Sequence, residues 1–100
     1  MEAKGVFVNS IEITSSAGDI TKGFTGVTTS TTNRQMDLPA AASTNVGAMY
    51  TIKKLDSASG QVQVTRAGDD TIDGGTSVVL YHKDESVTVI CGAADTWYIM

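Results

Sequence analysis

The chain has one cysteine, one proline, one histidine and only three leucines in 100 residues, and each scarcity narrows what it can be. A lone cysteine, Cys91, excludes an internal disulfide and suits synthesis in a reducing cytoplasm. Leucine is outnumbered by ten valines, and serine and threonine together reach twenty-three. Branched and hydroxylated side chains of this kind fit a pleated surface better than a helix. Basic residues are few as well: seven against eleven acids, for a net charge of −4. That leaves no basic stripe to neutralise a phosphate backbone, so no nucleic-acid partner is expected. No apolar run approaches a membrane span, and no charged start leads into one as in a signal peptide.

What is present is short, alternating and β-like. Val6 and Val8 alternate around Phe7, and Ile11 and Ile13 around Glu12. Further on, Met36 and Leu38 share a face, as do Tyr50 and Ile52, Val62 and Val64, Val78 and Leu80, Val87 and Val89, and Trp97 and Ile99. These last five pairs are the predicted core. Val79 and Tyr81 make the strand 78–81 apolar on both sides, which predicts burial on both. Turn signals at 15–19, 56–60, 67–70, 73–76, 82–85 and 92–95 recur at roughly the spacing of a small all-β domain. The predicted fold is therefore all-β, a small antiparallel β-sandwich or barrel. The segment 56–60 is expected to be a hairpin loop, as is 92–95. Ala40–Ala42 could start one helical turn, which Asn45 and Gly47 would stop. A 100-residue β chain without disulfides has little stability margin and gains from oligomerisation.

The candidate chemical groups are few. Asp69, Asp70 and Asp73 offer hard oxygens of the type Ca²⁺ takes. They lack the ligand series and distal glutamate of a calcium-binding loop, so a solvated turn is expected, with Asp73 bonding the backbone of Gly74 and Gly75. His82 is followed by Asp84 and Glu85, yet nothing singles out a nucleophile among the hydroxyl residues, so no catalytic residue is expected. Cys91 sits at an alternating strand position, where a buried, inert thiol is the usual outcome. No cofactor or metal is expected. The run Thr28-Thr29-Ser30-Thr31-Thr32 is polar on both faces. It suits an edge strand, a contact surface or a loop, with the edge strand favoured. Trp97 and Tyr98 point to opposite faces, Trp97 inward and Tyr98 toward a surface or partner.

Six segments occur in a fixed order: Leu38-Pro39, Tyr50-Thr51-Ile52-Lys53-Lys54-Leu55-Asp56, Val62-Gln63-Val64, Thr71-Ile72-Asp73-Gly74, Ser86-Val87-Thr88-Val89 and Trp97-Tyr98-Ile99. In this order and spacing they resemble a β-domain of bacteriophage capsid decoration (cement) proteins and head or tail fibres. The resemblance covers residues 33–100 and leaves 1–32 as an N-terminal β segment that matches nothing recognisable. It implies a virion structural protein, a homotrimer bound to the major capsid protein on the outside of a phage head. The alternative is a receptor- or glycan-binding module of a tail fibre. Contacts with the capsid or between subunits would fall on Val6, Phe7, Val8, Thr28, Thr29, Thr31 and Tyr98. Residues 1–14 could act as an arm that adds a strand to a neighbour.

Overall fold

A computed structural model describes residues 11–100. Among these residues ten strands are divided between two sheets: β1 (Ile11–Thr14), β2 (Gly18–Asp19), β3 (Phe24–Val27), β4 (Arg34–Asp37), β5 (Met49–Lys54), β6 (Val62–Thr65), β7 (Thr71–Ile72), β8 (Ser77–Leu80), β9 (Ser86–Ala93) and β10 (Thr96–Ile99). β1 to β9 alternate between the sheets, and β10 stays beside β9. The six-stranded sheet runs β1-β3-β5-β9-β10-β7 and the four-stranded sheet β2-β4-β6-β8. A single 3-10 turn, Ser43–Asn45, is the only helical element among the described residues. The alanines before it supply its leading residue, and Asn45 Oδ1 accepts the Ala42 N–H at 2.8 Å.

The all-β class matches the expectation, and the strand directions correct it. From β1 to β6 the chain winds from one sheet to the other and back, so each strand lands beside the one two before it. β1, β3 and β5 are parallel in register, as are β2, β4 and β6. Among the described strands, β7–β10 is parallel too, and β5–β9, β6–β8 and β9–β10 are the antiparallel pairs. The fold is thus a wound parallel stack closed by an antiparallel end, not an antiparallel array. Residues 56–60 join β5 to β6 across the two sheets, so they form a corner and not a hairpin. Of the two expected hairpins, the one between β9 and β10 is present. A corner and a hairpin demand the same turn residues, which is why sequence alone does not separate them. Winding also makes the described part of the 1–32 segment integral: β2 pairs with β4, and β3 with β5.

One core lies between the sheets. Val27, Ile52, Val87, Val89, Cys91 and Trp97 face it from the larger sheet, and Met36, Val62, Val64 and Leu80 from the smaller. Tyr50 and Val78 are half-buried against it. Trp97 is fully enclosed and meets Tyr50 edge-on, with ring centroids 5.7 Å apart and planes at 66°. Ile99 departs from its predicted place: it is 39% exposed, at the last position of β10. Val79 is half-buried and Tyr81 is 54% exposed, so β8 is covered on one side only.

Candidate functional site

The predicted polar candidates turn out to hold the chain's own corners. Asp70 is buried, and its Oδ2 accepts the Ala41 N–H at 2.8 Å, tying the β6–β7 corner to the β4–β5 connection. Asp73 adopts φ +49° and accepts the Ile99 N–H at 3.1 Å through Oδ1. It therefore anchors the last strand instead of its own turn, which is closed by the Gly75 N–H donating to the Ile72 carbonyl at 2.8 Å. Asp69 is exposed. No set of three metal-ligating side chains converges among the described residues.

His82 lies on an exposed turn. There Glu85 Oε1 accepts the N–H groups of Tyr81 (2.6 Å) and His82 (3.0 Å), which hold the carboxyl below its ordinary range, the Tyr81 bond most strongly. The Cys91 thiol is buried and points at Asn45 Oδ1, 3.3 Å away.

The threonine run shows the largest difference from expectation. Residues 28–33 form a turn, not an edge strand. Thr28 is half-buried and Thr31 is exposed, but Thr29 is fully buried and cannot be a surface contact. Thr29 belongs to a clamp that the sequence reading missed. Lys54, also fully buried, donates from Nζ to Asp56 Oδ1 (2.9 Å), to the carbonyls of Asp56 (2.7 Å) and Ala58 (2.9 Å), and to Thr29 Oγ1 (3.3 Å). Asp56 in turn accepts the N–H groups of Thr29 and Ser30, each at 2.9 Å, and the Thr29 hydroxyl at 3.0 Å. The Lys54 ammonium is the main cause holding the Asp56 carboxyl well below its usual range, followed by the Ser30 N–H. Gly60 completes the joint. A Cβ there would collide with the Thr32 carbonyl oxygen and with Thr29 Cβ, 2.7 Å away. The signal for the clamp lay in strand parity: Lys54 and Asp56 share the inward parity of Tyr50 and Ile52.

The surfaces that remain are the outer faces of the two sheets. On the six-stranded sheet, register places Met49, Ile90 and Tyr98 in one row across β5, β9 and β10. The next row holds Ile11, Phe24, Thr51 and Thr88. The third holds Ile13, Gly26, Lys53 and Ser86. Thr51 and Thr88 bond each other through their hydroxyls at 2.9 Å, which ties together the two polar side chains at the centre. Two glycines keep the face flat. A Cβ at Gly26 would stand 2.7 Å from Leu55 Cδ1 and 3.0 Å from Ile13 Cδ1, and at Gly92 it would enter the Tyr98 ring. Both positions are therefore roofed by apolar side chains. Lys53 is the charged residue in these rows, with Asp84 3.9 Å away.

The four-stranded sheet presents the opposite chemistry. Its outward positions include Asp19 beside Asp37, Gln35 beside Gln63, and Thr65 beside Ser77. Gln35 Nε2 donates to Asp37 Oδ1 at 2.8 Å. Of the predicted contact residues, Tyr98 is on the apolar face and half exposed; Val6, Phe7 and Val8 lie outside the described residues. Ile11, Ile13, Met49 and Ile90 were not singled out as surface groups, although the Ile11-Glu12-Ile13 alternation could have flagged the first two. In comparisons with known protein families and with curated proteins, the chain matches none.

Proposed function

We propose that the chain is a virion structural protein of a bacteriophage, a small β-sandwich that assembles as a homotrimer and binds the major capsid protein on the outer surface of the head. It is made in the host cytoplasm and acts by mechanical bridging, without catalysis or a cofactor. One observation carries this reading. Six of the groups able to do chemistry, Lys54, Asp56, Asp70, Asp73, Glu85 and Cys91, are engaged in fastening the fold's own corners, while His82 stands on an exposed turn. What the molecule offers outward is sheet face and sheet edge. Among the described residues β1 is the end of its sheet, with its second edge unpaired. An extended capsid segment could add there, gaining affinity from main-chain bonds. The ordered motifs from Leu38 to Ile99 supply the phage resemblance.

The test is co-sedimentation with purified phage heads stripped of surface proteins. Saturable binding and a higher melting temperature of the loaded shells are expected. Absence of binding to both immature and expanded heads would refute the decoration role. A second reading, a glycan-binding tail-fibre module, draws on Tyr81 and His82, which stand together on an exposed turn with ring centroids 6.4 Å apart. A glycan array without signal would dispose of it.

A further inference from the structure

We infer that the outer face of the six-stranded sheet is where one copy of this chain packs against another. The inference deepens the assembly reading above and rests on it only for self-association; attachment to a capsid is a separate matter.

The face is too apolar to be a solvated surface of a lone domain. Ile11 and Ile13 are 63% and 62% exposed, Tyr98 50% and Met49 47%. Phe24, Leu55 and Ile90 add half-buried area between them. With strands about 4.8 Å apart and residues about 3.3 Å apart, the patch projects to roughly 500 Å². Side-chain relief brings it toward the roughly 600–1,000 Å² that each partner contributes to a standard interface. A patch of this size is toward the upper end of what monomers expose, where such patches are often functional. The desolvation cost at the centre of the face is reduced, since the Thr51 and Thr88 hydroxyls already bond each other at 2.9 Å.

Charge selects a second copy as the occupant. The chain carries −4, so copies repel unless their acids are kept apart. The paired aspartates Asp19 and Asp37 lie on the opposite sheet, across the 19 Å smallest dimension of the molecule. Packing the apolar faces toward one another separates those acids by about twice that thickness, well beyond a screening length of about 8 Å in physiological salt. The face is flat and glycine-levelled, and the charged residue in its rows, Lys53, has Asp84 3.9 Å away, so it can meet a copy of itself around a twofold axis or turn inward with two others about a threefold axis.

The experiment is light scattering on the full chain at micromolar concentration, with Ile13→Lys and Tyr98→Lys on this face and Gln63→Lys on the opposite one. All three positions lie outside the core, and circular dichroism and melting confirm that each variant folds. The wild type and Gln63→Lys are expected at two or three times the 10.4 kDa chain mass. Ile13→Lys and Tyr98→Lys are expected as monomers, with association weakened on the order of a hundredfold by the buried charge. A monomeric wild type overturns the inference, as do multimers that both face variants leave intact or that Gln63→Lys disrupts equally. Head binding measured on the same samples separates the two ideas. A multimer that fails to bind heads keeps this interface and refutes the decoration role, whereas a monomer that binds heads does the reverse.

Discussion

The two outer faces of this molecule are built by the same winding chain and share one core, yet one is acidic and amide-rich and the other nearly free of charge. The difference arises at the outward positions of the pleat. On the smaller sheet Asp19, Gln35, Asp37 and Gln63 stand outward; on the larger, Ile11, Ile13, Met49 and Ile90 do. Inward positions of both sheets are alike. A face not required for the core is free to differ, and here one face is acidic and the other apolar. Glycine marks the same division. Gly26 and Gly92 lower the apolar face so that Leu55, Ile13 and Tyr98 can lie across it, whereas Gly60 sits at a corner joining the sheets.

The comparison breaks most completely if the joint between the sheets is opened. Asp56→Ala leaves the enclosed Lys54 ammonium without its counter-charge, and a loss of about 4 kcal/mol is expected in urea unfolding. Acid probes the same joint more gently. The Asp56 carboxyl is depressed in the folded state, so its contribution is complete above the unfolded-state value of about 4 and is lost as pH falls below that toward the lower folded value. Melting of the wild type should therefore fall between pH 5 and pH 2 more steeply than that of Asp56→Asn. Parallel slopes would show that the clamp contributes nothing.

Gly60→Ala tests the corner from its steric side. The new methyl meets backbone, which cannot swing away, and a cost of about 3 kcal/mol is expected. Gly26→Ala, on the apolar face, meets only the ends of Leu55 and Ile13. A cost of about 1 kcal/mol is expected, and a cost equal to that of Gly60→Ala would mean that the two sites do not differ in the way described. Thr25→Val should act in the opposite direction. The Thr25 hydroxyl is buried without a partner, and replacing it with a methyl of the same shape is expected to raise stability by about 1 kcal/mol. Smallest of all are the surface changes: Ile13→Lys and Gln63→Lys should each move folding stability by less than about 0.5 kcal/mol, while only the former alters molecular mass in solution.

Much of the core could be read directly from alternation, because the pleat repeats every two residues and needs no knowledge of neighbours. Ile52, Val62, Val64, Leu80, Val87, Val89 and Trp97 are buried on the faces their spacing assigns. The candidate site was less legible. Lys54 and Thr29 are polar, and nothing local shows that two corners 25 residues apart would close around them. Thr28–Thr32 has strand-like composition but turns, because the half-buried Asp56 carboxylate captures the N–H groups of Thr29 and Ser30 that a strand would have offered to a neighbour.

Taken alone, the sequence determined that this is a β protein and, for most strands from β5 onward, which side looks inward, since these follow from side-chain shape and a period of two. Only the tertiary structure decided that the strands wind in parallel between two sheets, that Lys54 and Asp56 lock their corners, and that Ile11, Phe24, Met49, Ile90 and Tyr98 gather on one face. Each of those outcomes depends on which distant strand becomes a neighbour. Pairing of that kind is settled by the free energy of the whole core and its corners, to which no single segment holds the key.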